Sequence, residues 1–221
     1  MKRTHGPKVV AVLIVVFFAV LTAIGMQGGF NLEPLKSPAK NDTPPATRQI
    51  DSLVVKGRAP KTGYSRSQFG DGWAMAYGGC SMREAILRRD LESVVLDGCK
   101  VKEGVLNDPY TGRVVQFSRG IETSQEVQID HVVALSNAWQ TGAQQLSQDE
   151  REAFANDPMG LLAVEGVANR QKSDGDAATW LPPNKVFRCR YVAKQVAIKA
   201  KYHLWVTSAE KRAMLKVLTS C

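Results

Sequence analysis

Two polar clusters carry the residue types that hydrolysis of a phosphodiester bond requires. The first is Asp130-His131, a carboxylate and an imidazole at the end of an extended stretch that begins at Gln128. The second, residues 169–174, reads Asn-Arg-Gln-Lys-Ser-Asp. A neutral imidazole can activate a water molecule, because its ordinary pKa of about 6.5 lies near working pH. A divalent metal can stabilise the phosphoryl oxygens and the leaving oxygen.

Each residue of these clusters has a predicted role. Hard cations such as Mg²⁺ prefer oxygen ligands, so we expect Asp130 and Asn169 to hold a divalent metal, with Mn²⁺ and Zn²⁺ as alternatives to Mg²⁺. His131 is then left to act as the catalytic base, and Asn169 contributes to catalysis through the metal. Arg170 and Lys172 follow Asn169 on one short helix and are predicted to bind flanking phosphates of the substrate.

The strands must bring these side chains together. Neighbouring residues on a strand point to opposite faces, so Asp130 and His131 can reach one substrate only where the strand ends or bends. We predict that strand over 126–133 and pair it in a hairpin with a strand over 113–117. After inserted helices, a third strand over 161–164 leads into a short helix over 167–172, which carries the second cluster.

The helices around the strands have clear starting signals. Capping boxes begin helices at Ser81, Ser147 and Thr207, and an apolar stripe predicts a longer helix over 187–204. Arg83 lies on the first of these helices. It is either a further phosphate ligand or the partner of an acidic residue on its own helix, Glu84 or Asp90.

Composition narrows the possible sites and partners. The chain of 221 residues has a formal net charge of +8, which suits a nucleic acid or another anionic surface, although a solvated basic face would have the same composition. Its histidines are His5, His131 and His203, too few for a His-rich metal site. Because His5 lies in the leader, a catalytic imidazole has to be His131 or His203, and we interpret His203, near a helix end, as structural.

The chain divides into three parts. Residues 1–26 start with basic residues and continue in an apolar run, the pattern of a signal peptide or a signal anchor. Residues 27–49 form a Pro-rich linker, and residues 50–221 form the folded domain. This organisation predicts a monomer that is secreted or held at the extracellular face of the cell membrane, with membrane contact only through the N-terminal segment.

Export also favours disulfides. Four cysteines allow three pairings. We expect Cys80–Cys99 and Cys189–Cys221, because each pair joins neighbours in sequence around one helical unit. Each bridge would stabilise the domain by about 2–4 kcal/mol.

The two clusters together resemble the HNH (ββα-metal) endonucleases, and more closely the branch related to the C-terminal nuclease domain of GmrSD-type restriction enzymes. The likeness runs from about Tyr64 to Cys221 and includes further short matches at 80–83, 108–112, 138–139, 154–158 and 180–183. It implies an α+β fold with a ββα-metal core and several peripheral helices. It also implies His131 as general base and Asp130 and Asn169 as metal ligands.

One position departs from the pattern of that family. Many relatives carry an Asn where this chain has Gly160, and that Asn braces the loop bearing the base. Asn156 is the candidate to take over this supporting role.

Three functions are compatible with these observations. The first is an exported metal-dependent endonuclease that cleaves DNA, with RNA as an alternative substrate, with low sequence specificity. The second is a non-catalytic envelope protein that binds nucleic acid on a degenerate HNH fold, a hypothesis motivated by Gly160. The third is a structural cell-envelope domain whose basic charge serves anionic polymers.

Overall fold

The computed structural model describes residues 46–76, 78–121 and 123–221. The predicted leader and most of the predicted linker lie outside these residues. Helix α1 (Ala46–Asp51) overlaps the end of the linker that we predicted over 27–49, because Ile50 and Leu53 are buried in the core and draw this part of the chain onto the domain. None of the helices in the described ranges is long and apolar enough to cross a bilayer.

Helices and strands alternate irregularly along the chain. The further helices are α2 (Met82–Asp90), α3 (Leu135–Gln140), α4 (Gln148–Ala155), α5 (Gly166–Lys172), α6 (Arg188–Lys201) and α7 (Ser208–Leu218). The strands are β1 (Leu91–Asp97), β2 (Lys100–Asn107), β3 (Val114–Ser118), β4 (Val127–His131) and β5 (Leu161–Glu165). This mixture of strands and several helices confirms the α+β part of the predicted fold class, and the ββα-metal core stays a prediction.

The predicted capping residues begin their helices. The side chains of Ser81, Ser147 and Thr207 accept hydrogen bonds from the backbone N–H three residues later. Glu150 and Glu210 also accept hydrogen bonds from the backbone N–H of Ser147 and Thr207, which completes these two capping boxes. At α2 the partner, Glu84, instead turns inward, where it accepts a 2.8 Å hydrogen bond from the Val101 N–H and two from Arg119.

The strands form two separate sheets, and the predicted hairpin is wrong. β3 pairs with β2, in a sheet of order β1-β2-β3, and β4 pairs with β5 alone. We did not predict β1 and β2, whose many exposed and charged residues lack a clean apolar alternation. The predicted order of strand, inserted helices, strand and short helix is confirmed for β4, α3, α4, β5 and α5.

The β4–β5 ribbon lies between two parts of the core. Ile129 and Ala163 pack with α2 and the three-stranded sheet, whereas Leu162 and Val164 pack with α6 and α7. Because both faces are buried, β5 reads as a continuous apolar run and not as an alternating one. The ribbon is therefore held on both sides, and His131 at its end has a fixed backbone.

Side chains close the outer edge of β5. Asp90 Oδ2 accepts from the Ala163 N–H at 2.8 Å, and Asp108 Oδ1 accepts from the Glu165 N–H at 2.9 Å. The Arg89 guanidinium donates to the Leu161 carbonyl at 2.7 Å. These bonds replace a third strand, so the edge does not offer a template for pairing with another chain.

Both predicted disulfides are confirmed. Cys80–Cys99 joins the residue before the α2 N-cap, Ser81, to the turn between β1 and β2. Cys189–Cys221 joins the first turn of α6 to the end of the chain.

Asp157 makes the stability of the domain depend on pH. Burial alone would raise the pKa of its carboxyl, but hydrogen bonds from Lys201, the Met159 N–H and Tyr202 outweigh burial and hold that pKa below its ordinary value. The Lys201 ammonium lies 2.6 Å from the carboxylate. A depressed folded-state pKa gives stability that is present above the unfolded-state pKa, about 3.9, and is lost as pH falls through the lower folded-state value.

We therefore expect Asp157→Asn to lower the melting temperature by about 2–4 °C near neutral pH. The difference from the wild type should shrink as the pH falls through the folded-state pKa of Asp157. Thermal unfolding followed by circular dichroism across this acid range measures it. Asp71→Asn, at an exposed position, is the control, and an Asp157→Asn deficit that stays constant with pH would contradict this assignment.

Candidate active site

Helix α5 lies against β4 through two neighbouring pairs of polar side chains. Asn169 Nδ2 donates to Gln128 Oε1 at 2.9 Å, and Lys172 Nζ donates to Asp130 Oδ1 at 2.9 Å. Gln128 and Asp130 share one face of the strand because they are two residues apart, and Asn169 and Lys172 share one face of the helix because they are three apart. This register places Asn169 and Lys172 against the same face of β4, the face that carries Gln128 and Asp130.

Three of the predicted site residues line one cleft of about 390 Å³. Asp130, His131 and Asn169 all contribute to its wall, as do Ser136 and Asp174. The opposite wall comes from the segment before α2, through Lys61, Tyr64 and Arg66. The fold thus brings residues that are distant in sequence to one cleft. For Asp130, His131 and Asn169 the sequence predicted this.

Asp130 is buried and engaged on both carboxylate oxygens. Tyr110, itself fully buried, donates its hydroxyl to Oδ2, and Lys172 donates to Oδ1. Burial raises the pKa of the Asp130 carboxyl, and the Lys172 charge and the two hydrogen bonds offset part of that rise. Tyr110 and Lys172 therefore fix the orientation of this carboxylate.

Lys172 has a different place from the one we predicted. Its side chain is fully buried, and besides Asp130 it donates to the backbone carbonyl of His131 at 2.9 Å. An ammonium in this position cannot reach a phosphate in the solvent. The reason is the helical register, which turns Lys172 toward β4 together with Asn169.

The His131 ring is fixed by a stacking contact and a hydrogen bond. It lies parallel to Trp73, with ring centroids 5.6 Å apart and an interplanar angle of 6°. Its Nε2 is 2.9 Å from the Ala155 carbonyl oxygen. A carbonyl can only accept, so Nε2 carries the proton and Nδ1 of the neutral ring keeps its lone pair.

The His131 ring is neutral at ordinary pH. Burial lowers the pKa of His131 to about 3, and the charges of Arg66 and Lys172 add to this effect against the hydrogen bond to Ala155. The side chain thus has one nitrogen that can accept a proton, and the residue lines the same cleft as Asp130 and Asn169.

Asn156 supports the site from behind the stacking partner. At the end of α4 its Oδ1 accepts from the Ala74 N–H at 2.8 Å, and its Nδ2 donates to the Glu152 carbonyl at 3.0 Å. It therefore holds the backbone next to Trp73, which stacks on the His131 ring.

Gly160 is a packed position in the turn before β5. Its carbonyl accepts from the Val132 N–H at 2.8 Å, directly after His131. A Cβ on this residue would lie 3.0 Å from Ile198 Cδ1, so the packing of α6 suits a glycine here. The backbone bond itself braces the end of β4, where relatives are expected to use an asparagine side chain.

Comparison with known proteins identifies the family. Residues 82–217 match the family described as GmrSD restriction endonucleases, C-terminal domain. The chain belongs to this family. A protein of Arthroderma benhamiae described as an uncharacterized secreted protein is 36% identical over 215 residues, which cover 93% of this chain and 98% of that protein. No solved structure matches the chain.

Part of the cleft lies before the segment that matches the GmrSD C-terminal family. The match begins at residue 82, after three residues of the cleft wall, Lys61, Tyr64 and Arg66. Trp73, which stacks on the His131 ring, also precedes it. From sequence we gave none of these four residues a role in the site. The signal was weak, because a loop with many glycines does not indicate which of its side chains face a site.

Three other predicted candidates do not line the cleft. The Arg83 guanidinium pairs with Glu84 at 3.2 Å, which is one of the two alternatives given for it. Arg170 is exposed on α5 and does not line the cleft. His203 is exposed after α6, so His131 is the imidazole of this site.

The donor set fits a hard divalent cation of the kind that HNH-type nucleases generally use. A carboxylate offers about four lone-pair positions, so Asp130 keeps acceptor capacity beyond its two hydrogen bonds. Because Asn169 Nδ2 donates to Gln128, its Oδ1 remains as an oxygen donor. Within the ranges that the structure describes, no three His, Cys, Asp or Glu side chains form a metal-binding cluster.

The residue after α5 is strained. Ser173 has φ 50° and ψ −126°, a conformation that L-residues rarely adopt, and it lines the cleft. Such strain costs about 1–3 kcal/mol, which a glycine at this position would avoid. The greater conformational freedom of glycine in the unfolded chain would offset roughly 0.5–1 kcal/mol of that gain.

We expect Ser173→Gly to raise the free energy of unfolding by about 1 kcal/mol and the melting temperature by about 2–4 °C. Thermal and urea unfolding measure both quantities. Ser173→Ala keeps the Cβ and the strain, so it should show no gain. A glycine variant no more stable than the alanine variant would show that the backbone relaxes without cost.

Proposed function

We propose that this protein is a secreted, metal-dependent endonuclease that hydrolyses phosphodiester bonds of DNA with low sequence specificity, with RNA as the alternative substrate. The observation that carries the proposal is that His131, whose neutral ring keeps an unprotonated Nδ1, lines the same cleft as Asp130 and Asn169. Membership of a nuclease family makes a phosphodiester the expected substrate bond.

His131 would act as the general base. Its Nδ1 accepts a proton from a water molecule as the water oxygen attacks phosphorus, the bond from phosphorus to the leaving oxygen breaks, and that oxygen takes up a proton. Stacking on Trp73 and the bond to Ala155 keep the ring in position. The anionic phosphate raises the pKa of His131 on binding, because it opposes the charges of Arg66 and Lys172.

Asp130 and Asn169 would hold the divalent metal, most readily Mg²⁺. When bound, such an ion supplies charge stabilisation for the phosphoryl and leaving oxygens. Tyr110 and Lys172 orient the Asp130 carboxylate for this role, and Gln128 orients the Asn169 amide.

The two disulfides support the proposal that the protein is secreted. Two disulfides stabilise the domain, and such bonds persist in oxidising compartments. The relative from Arthroderma benhamiae is described as secreted. We propose that the N-terminal segment directs export and that the mature protein acts as a monomer.

Cleavage of supercoiled plasmid DNA by the purified protein tests the proposal. We expect cleavage with Mg²⁺ or Mn²⁺ and none in excess EDTA, and the same assay on RNA defines the substrate range. Cleavage that continues undiminished in EDTA would contradict the metal dependence. Absence of cleavage with every divalent metal would contradict the activity itself.

A second function is favoured by one contact. Lys172 already neutralises Asp130, so the fold satisfies its buried carboxylate without a metal, as a degenerate site would. In that case the protein would bind nucleic acid without hydrolysing it. Salt-sensitive DNA binding with no cleavage under any divalent metal would favour this function over the first.

A further inference from the structure

The cations that we first expected to meet the substrate are engaged elsewhere. Lys172 is buried against Asp130, and Arg83 is paired with Glu84. Arg170 is exposed but does not line the cleft. Within the described part of the chain, the lysine and arginine side chains that do line it are those of Lys61 and Arg66.

These two residues differ in their partners. Lys61 Nζ lies 3.4 Å from Asp174 Oδ2 and 5.3 Å from the centre of the Tyr64 ring. Arg66 is exposed, and no carboxylate among residues 46–76, 78–121 and 123–221 lies within 4 Å of its guanidinium. An arginine in a cleft without an internal anion is available to an anion from outside.

Arg66 also lies close to the His131 ring. It lines the main cleft and a smaller adjoining cavity of about 110 Å³, and His131 lines both of them. Its charge contributes to the lowered pKa of His131. A phosphate that reached Nδ1 of His131 would therefore enter the field of this guanidinium.

The turn that presents Arg66 is fixed to the domain. Arg66 begins a short 3-10 turn that ends at Phe69, whose buried ring packs against Trp139 and Phe154. Arg151 Nε donates to the Gln68 carbonyl at 2.7 Å. Because the backbone is held in this way, binding an anion needs to order only one side chain.

We propose that Arg66 contacts the phosphate under attack and that the segment 56–73 thereby completes the active centre, ahead of the part of the chain that matches the family. This inference rests on the proposed function. A guanidinium pairs with two phosphate oxygens at once and stabilises the negative charge that develops on them during attack. The segment is thus part of the substrate site and not only a cover for the core.

Arg66→Ala, Arg66→Lys and a charge-matched control, Arg212→Ala at an exposed position of α7, test this inference. Each is assayed for kcat and KM on DNA with Mg²⁺, and for the Kd of a fluorescent DNA duplex in EDTA. We expect Arg66→Ala to lose about 10- to 100-fold in kcat/KM, with a fall in kcat as well as weaker binding. Arg66→Lys should recover part of the loss, and Arg212→Ala should stay within about twofold of the wild type.

The outcomes separate this inference from the proposed function. If Arg66→Ala equals Arg212→Ala in both kcat/KM and Kd, the inference is overturned while the nuclease activity stands. If the wild type binds DNA and cleaves none, the proposed function fails. The Kd of Arg66→Ala compared with that of Arg212→Ala then shows whether Arg66 contacts the phosphate. A wild type that neither binds nor cleaves overturns both. The melting temperature shows whether each variant is folded, and Arg66→Lys gives the comparison if Arg66→Ala is not.

Discussion

Replacing His131 by alanine or glutamine is expected to lower kcat for DNA cleavage by about 10³-fold, because either change removes the proposed general base. The two variants differ in one useful respect. Glutamine has an N–H that can replace the bond from Nε2 to the Ala155 carbonyl, but it has no basic nitrogen. Alanine removes the base, the hydrogen bond and the stacking on Trp73 together.

The comparison separates catalysis from folding. We expect both variants to keep DNA binding close to that of the wild type, since the imidazole is neutral and contributes no charge. The glutamine variant should also keep most of the wild-type melting temperature. Single-turnover cleavage and thermal unfolding measure the two properties, and a folded glutamine variant with wild-type kcat would refute His131 as the base.

Replacing Lys172 by methionine is expected to destabilise the domain by about 3–5 kcal/mol, because it leaves the buried Asp130 carboxylate without its counter-charge. The melting temperature would fall by roughly 10 °C. The His131 carbonyl would lose a hydrogen bond as well. Urea unfolding of the wild type and the variant measures the difference.

Two further variants show whether the charge pair is responsible. Lys172→Met combined with Asp130→Asn removes both charges, so it should be clearly more stable than Lys172→Met alone. Lys211→Met breaks an exposed ion pair with Asp51 and should cost less than about 1 kcal/mol. A Lys172→Met variant as stable as Lys211→Met would mean that Asp130 is not charged in the folded protein.

Local signals in the sequence were sufficient for the centre of the fold. The strand into Asp130-His131, the apolar strand over 161–164 and the helix with Asn169 were all predicted within a few residues. Each combines a short apolar run with a change of pattern at its end, which depends on neighbouring residues only. The helix caps at Ser147 and Thr207 were predictable for the same reason.

Strand pairing was not predictable in this way. Two strands that follow one another and are joined by a polar loop suggest a hairpin, but β3 pairs with β2, which lies before it in the chain. β2 carries Lys100, Lys102 and Glu103 on an exposed sheet, so its sequence does not resemble a buried strand. The choice between possible partners is made by tertiary packing.

The roles of charged residues also depended on packing. Arg170 and Lys172 are two positions apart on α5, yet one is exposed and the other is fully buried. Only the docking of the helix on β4 decides which of them faces inward. The contacts of Arg66 and Trp73 with the site depend on how the segment before α2 wraps around α3 and α4, which a loop sequence does not encode by spacing.

We propose that Asp130 and Asn169 together hold one divalent ion beside His131. Anomalous diffraction from a crystal of the protein grown with Mn²⁺ measures this directly. We expect a single strong peak at the cleft, bonded to Asp130 Oδ and Asn169 Oδ1, which disappears in the Asp130→Asn and Asn169→Ala variants. A well-ordered cleft without such a peak at saturating Mn²⁺, with Lys172 still bound to Asp130, would contradict this metal site.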